Sequence, residues 1–230
     1  MKQVLTFISN SLLSSIPKSE YLRLKVHLKP VILHKGQTLF EIGQRPTNVY
    51  YPAGAVVSML VDLTEGASIE INVIGRTSMV GVTAVNEPSF YRATVLSTGL
   101  AYQMPTSVLQ DEAKNCPFYS LAAQSNICKL MAQMAQIMVC GRHHSTERQI
   151  IRWLLITLDH SLTSVIKITQ QEVADLLGFR REAVALALQK LVIRGHVRLS
   201  RGQIQILNRH ALEKDSCDCY WIYKERAQTF

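Results

Sequence analysis

The chain has 230 residues, 47% of them apolar and 18% charged, with a formal net charge of +8. That length and apolar content suit one large or two modest folded domains and exclude wholesale disorder. No membrane span is expected, because the longest uncharged stretch, residues 93–110, is broken by Ser97, Thr98, Gly99, Gln103 and Pro105.

Lys2 and the apolar patch Val4–Ile8 run straight into Ser-Asn-Ser, without the long apolar run and small-residue cleavage site of a secretory leader. The five cysteines are odd in number and follow no regular framework, so they read as free thiols of a reducing, cytoplasmic protein.

The first half reads as sheet. Glycines at 36, 43, 54, 66, 75, 81 and 99 punctuate short runs rich in Val, Ile, Leu and Tyr. Candidate strands are Val31–Leu33, Thr38–Phe40, Val49–Tyr51, Val56–Asp62, Ser68–Val73, Ser78–Val80, Arg92–Val95 and Ala101–Met104. Residues 68–74 alternate polar and apolar, the period of a half-buried strand, and Leu63-Thr64-Glu65-Gly66 supplies a hairpin turn. Short strands at this spacing predict a sandwich or barrel, with a jelly roll as the natural way to manage the edges.

The texture changes near Pro117. From Phe118 to about Gly141, Leu, Ala, Gln and Met dominate, which predicts one long helix. Leu121, Ser125, Cys128, Ala132, Ala135 and Val139 fall at steps of three and four residues. Such a seam either lies on the chain's own barrel or pairs with a second copy, and the heptad-like spacing favours the pair. Gly141 to Ser145 breaks the pattern as a hinge, and Ser145 or Thr146 can cap a further helix through Leu158.

Beyond the hinge, Thr169 and Glu172 form a capping box, so a short helix begins at Gln170, with Val173, Ala174 and Leu177 on its apolar face. Gly178 can end it in a left-handed turn. A second helix runs from about Arg181 to Arg194, with Val184, Leu188 and Leu191 inward. Two helices meeting across a small residue and a glycine turn make a helix-turn-helix. Val197-Arg-Leu, Ser-Arg-Gly and Ile204-Gln-Ile-Leu207 then read as a basic β-hairpin, the wing of a winged helix, and a last helix runs from Arg209 into the tail.

The charge follows this division. Residues 1–115 hold ten Lys or Arg against eight Asp or Glu, a net of +2. Residues 180–209 hold Arg180, Arg181, Lys190, Arg194, Arg198, Arg201 and Arg209 against Glu182 alone, a net of +6. Clustering at that density favours an anionic partner over a solvated basic face, and with the hairpin geometry it favours DNA over a protein-docking hairpin. The expected organisation is α+β: a barrel over 1–115, a dimerisation helix and hinge over 116–145, and a winged helix over 146–230.

This order of parts resembles bacterial regulators of the cyclic-AMP receptor protein and fumarate–nitrate regulator (Crp/Fnr) family. The likeness covers nearly the whole chain and is most specific at I-T-Q-Q-E-V-A-D-L-L-G-F-R-R-E-A-V, residues 168–184. It implies a homodimeric transcription regulator on an inverted-repeat DNA operator, with a barrel that senses a small-molecule effector, or else serves as a ligand-independent dimer or RNA polymerase-docking scaffold. Arg181 and Glu182 match the family's base-reading pair; Arg donates a bidentate pair to guanine and a carboxylate accepts from cytosine. Thr169, Gln170 and Gln171 match the phosphate-contacting start of the first helix, and the basic residues Arg180, Lys190 and Arg201 complete the expected DNA-contact set. Arg180 replaces the usual capping Ser, and Leu186 stands where many members place another base-reading Arg, so the operator is not expected to copy the family's best-known site.

The resemblance also implies a cyclic-nucleotide cassette, here degenerate. Gly81 and Arg92 remain, with Thr94 nearby, while Val82 replaces the ribose-binding carboxylate and Ala93 the hydroxyl. The polar pair that would contact the base aligns with Met134-Ala135. A ribose hydroxyl facing Val82 loses a partner worth about 1–3 kcal/mol, so cyclic AMP is not the expected ligand, and Arg92 either serves a different anion or is structural. An N-terminal iron–sulfur cluster is not expected, since the first cysteine is Cys116.

Cys140, His143, His144, Cys217 and Cys219 could gather a metal if the fold allowed it. Cys217-x-Cys219 is tighter than ordinary zinc spacing and the histidines sit at the hinge, so buried thiols and capping histidines are expected, with no metal. No enzyme is expected. His34 is the lone histidine of residues 28–113, too few for a barrel metal triad, and neither a phosphate loop nor a nucleophile elbow is present.

Overall fold

The computed structural model describes residues 10–64, 66–82 and 87–228. The Val4–Ile8 patch and Glu65 of the anticipated turn lie outside the described residues. Two short helices, α1 (Ser11–Ser15) and α2 (Lys18–Lys25), precede seven strands: β1 (Lys29–Leu33), β2 (Thr38–Phe40), β3 (Asn48–Pro52), β4 (Val56–Asp62), β5 (Ser68–Ile74), β6 (Arg92–Ser97) and β7 (Gly99–Pro105). They form two antiparallel sheets in the orders β1-β7-β3 and β2-β6-β4-β5. Leu33, Phe40, Val49, Tyr51, Val57, Met59, Ile74, Tyr91, Val95 and Met104 fill the space between them, giving the jelly-roll core. Of the expected strands only Ser78–Val80 fails. A turn closes from Ser78 N–H to Gly75 O, and only Val80 makes a β-bridge, to Tyr50.

A short helix α3 (Thr106–Ala113) leads into α4 (Pro117–His143), whose first residue is a proline, where the missing N–H costs nothing. The buried side of α4 is mostly polar: Asn126, Lys129, Gln133 and Gln136 lie there beside Tyr119, Leu130 and Cys140, with Gln136 and Cys140 meeting the residues around the start of α9. Its outward side is apolar, with Phe118, Leu121, Met131, Met138 and Val139 exposed. Of the seam residues, Leu121, Cys128, Ala135 and Val139 are exposed and Ser125 and Ala132 partly so.

Ser145 ends the hinge by capping α5 (Thr146–His160), accepting from the Arg148 amide. There follow β8 (Val165–Ile166), α6 (Gln170–Leu177), α7 (Arg181–Ile193), β9 (Val197–Ser200) and β10 (Gln203–Ile206), with the sheet order β8-β10-β9. The expected last helix is two, α8 (Arg209–Asp215) and α9 (Asp218–Gln228), because Ser216 turns to extended backbone and its hydroxyl bonds Glu213 O. Among the described residues no helix is long and apolar enough to cross a membrane.

The barrel and the C-terminal unit share a core. Val56, Val73 and Leu96 leave the outer face of the four-stranded sheet to pack with Ile150, Trp153, Ile166 and Val173. Trp153 Nε1 donates to Glu70 Oε1 at 2.7 Å across this boundary, and His160 sits against Gly75 so closely that a Cβ there would fall 2.4 Å from its ring.

Candidate nucleic-acid interface

The capping box forms as expected. Glu172 N–H donates to Thr169 Oγ1 at 3.1 Å, and Thr169 N–H donates to Glu172 Oε2 at 2.7 Å. Gly178 takes φ 71° and ψ 33°, a region a side chain rarely tolerates, and Phe179 N–H closes the turn on Ala174 O. Buried Val184 and Ala174 let α7 cross α6 closely, leaving the first turn of α7 in solvent. Arg180 occupies the cap of α7 without a capping bond, and Arg180, Arg181 and Glu182 are all exposed. Gly202, at φ 70°, turns the wing so that Arg201 stands at its tip.

The basic cluster divides into two functional halves. Among the described residues Arg180, Arg181, Arg198 and Arg201 form no ion pair. Lys190 and Arg194, by contrast, reach Glu147 of α5 at 3.6 and 2.8 Å, and Arg194 also reaches Asp215. Arg209 bonds Asp159, Glu213 and Tyr220. Lys190 thus sits at the inner end of α7 within an internal network, away from the free end that carries Arg181. Arg198, which pattern alone did not mark as a contact, joins the free set on the wing. The positive helix terminus adds to the field of these unpaired guanidiniums, which is the arrangement that draws phosphate.

Residues 148–215 match the family model of the Crp-like helix-turn-helix domain. This stretch is a Crp-like helix-turn-helix domain. No curated protein sequence matches the chain. Solved structures do. A CRP-family transcriptional regulator from Thermus thermophilus is 18% identical with a TM-score of 0.66, covering 81% of this chain and 96% of that one. FixK2 from Bradyrhizobium japonicum is 15% identical with a TM-score of 0.67, covering 83% and 98%. The c-di-GMP-responsive regulator CLP from Xanthomonas campestris is 14% identical with a TM-score of 0.62, covering 84% and 100%. At these identities the likeness is one of fold, and the fold is that of Crp/Fnr regulators.

The Crp-like domain is docked on the barrel through its first helix. Lys35 Nζ, from the barrel, lies 2.6 Å from Glu172 Oε1 and donates to Lys167 O at 2.7 Å. Burial opposes the charge on Glu172, but Lys35 and the Thr169 amide outweigh it and hold the carboxyl below its usual range. A cleft of about 180 Å³ runs beside this contact, lined by Ser58, Leu60 and Thr94 of the sheet and by Ile168, Glu172 and Leu176.

Among the described residues, the cassette positions Gly81, Arg92 and Thr94 each meet different neighbours. The pleat turns Ala93 and Val95 into the barrel core and Arg92 and Thr94 outward. Arg92 donates to Asp62 Oδ1 and Ser68 Oγ at 2.7 Å each and lies 3.6 Å from Glu41; the Arg92 and then the Ser68 bond hold the Asp62 carboxyl below its usual range. Gly81 packs instead against Asn48 and Phe40, and Thr94 lines the interdomain cleft. Met134 packs on the barrel core and Ala135 is exposed. An open cleft of about 510 Å³ with a largely apolar lining lies between α1, Thr77 and α4. Lys129 donates there to Thr77 O at 3.1 Å, with burial pulling its ammonium down to about 8, and among the described residues neither side-chain amide atom of buried Asn126 has a partner.

The structure buries the three candidate thiols and places His144 at the cap of α4, as expected, and it also brings these four groups together. Among the described residues all five are free thiols, but Cys140, Cys217 and Cys219 are buried together, and His144 joins them, whereas His143 does not. The four groups come from two segments, Cys140 and His144 from the end of α4 and Cys217 and Cys219 from the start of α9. Cys217 is the more acidic of the close pair: Cys140 hydrogen-bonds its sulfur, and His144 and the Cys219 amide add to the effect against its burial.

Proposed function

We propose that this chain is a sequence-specific DNA-binding transcription regulator that works as a homodimer inside the cell. The observation that carries the reading is the set of four unpaired arginines, Arg180, Arg181, Arg198 and Arg201, on the free helix end and wing of a Crp-like domain. In this reading Arg181 and Glu182 meet base edges in the major groove, while Thr169, Gln170, Gln171, Arg180 and Arg201 hold phosphates. Lys190 is assigned an indirect part, setting the tilt of α7 through Glu147. Dimerisation is supported by the inverted polarity of α4, whose apolar Leu121, Met131 and Met138 are exposed in the single chain. Two copies would then present α7 to inverted half-sites about 34 Å apart.

An operator selected from random duplex DNA, followed by fluorescence-anisotropy titration, tests this reading. Arg181→Ala weakens the selected operator by about 1–3 kcal/mol and relaxes choice at one base pair per half-site. Arg201→Ala weakens all sequences alike and flattens the salt dependence by about one phosphate contact. Unchanged affinity and selectivity in Arg181→Ala would remove it from base reading.

For the signal, the cleft at Asn126 and Lys129 is the favoured site, since Arg92 is already neutralised. Calorimetry with cyclic AMP, cyclic GMP and cyclic di-GMP, run on wild type and Asn126→Leu, separates a sensor from a ligand-independent scaffold. Cyclic AMP binding that Arg92→Ala abolishes and Asn126→Leu spares would restore the cassette.

A further inference from the structure

Four side chains able to bind a soft metal meet where α4, the hinge and the α8–α9 turn come together. Cys140 lies in the last turn of α4, His144 caps that helix, and Cys217 and Cys219 flank the start of α9. Cys140 Sγ is 3.7 Å from Cys217 Sγ, Cys219 Sγ is 3.5 Å from His144 Nδ1, and one donor atom from each of the four falls within 4.8 Å of the others. Two sulfurs bound tetrahedrally to one zinc at about 2.3 Å sit about 3.8 Å apart, and a sulfur and a nitrogen about 3.6 Å apart. A disulfide would instead need sulfurs at about 2.05 Å.

We propose that Cys140, His144, Cys217 and Cys219 form a tetrahedral zinc site that ties the C-terminal helix to the end of the long helix. The donor set, three thiols and an imidazole without a carboxylate, selects zinc over hard cations such as magnesium or calcium.

The surroundings fit the same ion. Gln136 Nε2 donates to Cys219 Sγ at 3.1 Å, and the Cys219 backbone amide serves Cys217 in the same way, contacts that orient thiolate ligands. Arg152 is only 3% exposed, acts electrostatically on Cys140, and its Nε and Nη1 have no hydrogen-bond partner among the described residues. Three thiolates, one neutral imidazole and one divalent zinc sum to a single negative charge, which this guanidinium is placed to balance. Binding releases the thiol protons to solvent and changes no oxidation state. Because Cys140 and His144 lie at the end of the long helix and Cys217 and Cys219 at the start of α9, the ion would fix the C-terminal helix against the end of α4.

The test uses the full chain, tag-free and reduced. Elemental analysis of the purified protein should give about one zinc per chain. Titration of the chelator-stripped protein with cobalt should produce the visible absorption of a tetrahedral thiolate complex, which zinc then abolishes. Cys217→Ser and His144→Ala should weaken the metal more than about 100-fold, and Gln136→Ala about 10-fold, while Cys128→Ser and His143→Gln leave it unchanged. A folded, reduced wild type that carries no zinc and gives no cobalt spectrum overturns the proposal. So does a spectrum lost with His143→Gln and kept with His144→Ala. The wild-type measurement stands even where a ligand variant fails to fold, and none of these readouts depends on DNA binding.

Discussion

Thr169 and Glu172 trade hydrogen bonds across the first turn of α6, and the same carboxylate reaches Lys35 on the barrel. One residue therefore shapes the first helix of the helix-turn-helix and holds it to the barrel. Thr169→Ala removes a cap and should cost about 1 kcal/mol in urea unfolding, whereas Lys35→Ala should cost less than about 1 kcal/mol, since that pair is well solvated. A Lys35→Ala loss larger than that of Thr169→Ala would show that the barrel contact, not the cap, sets the stability of α6. Features of this kind were legible in the sequence because their partners lie three or four residues away, as with the capping box and the Gly178 turn. The facing of Arg92 was not, since one residue of register decides whether it points at the core or at Asp62. Nor was the cysteine cluster, whose members are brought together over 77 residues by tertiary packing alone.

Elements carry the next level of information. The uninterrupted V-V-S-M-L-V of β4 lacks the alternation of β5 because both its faces are covered, Val57 and Met59 by the barrel and Val56 by the C-terminal unit. Most strands and the helix-turn-helix were legible from period and punctuation. The helices α1, α2 and α3 and the two-residue β8 were not, being too short to show a period.

Where β5 meets α5, Glu70 is buried between Ser58 and the Trp153 indole, with Arg152 of α5 and Tyr223 of α9 as its charged and titratable neighbours. Burial, against both hydrogen bonds and Arg152, pushes its carboxyl up to about 7. The folded state therefore holds a proton that the unfolded chain releases near 4.5, and this group's contribution falls as pH rises from there to about 7. Glu70→Gln keeps an acceptor for Trp153 and cannot ionise. It should exceed wild type by about 3 kcal/mol in urea unfolding at pH 8, with the gap closing near pH 4.5. A gap independent of pH would refute an ionising Glu70. His160, on the same boundary, tilts the other way: burial pulls its imidazole down to about 4, so its contribution is lost as pH falls from 6.5 toward that value.

On the scale of the whole molecule, the proposed dimer would be set by the seam of α4. Leu121, 61% exposed in the single chain, would become central in a dimer, and Leu121→Glu should convert a dimer to a monomer in sedimentation velocity while leaving thermal unfolding of the Crp-like domain unchanged. A wild-type monomer at working concentration, with and without operator, would remove the paired-helix geometry from the account.

The shared core of barrel and reader has a consequence for how strongly DNA could be held. Val56, Val73 and Leu96 are covered only while the two units stay together. Re-exposing such side chains costs about 1.5–3 kcal/mol apiece, so a DNA-bound shape that parts the units starts from a rare conformer and inherits its scarcity as weakened apparent affinity. Polar substitutions on this sheet face, far from any phosphate, would then act as a gain control: they would lower the threshold at which an operator fills, without altering which sequence is chosen.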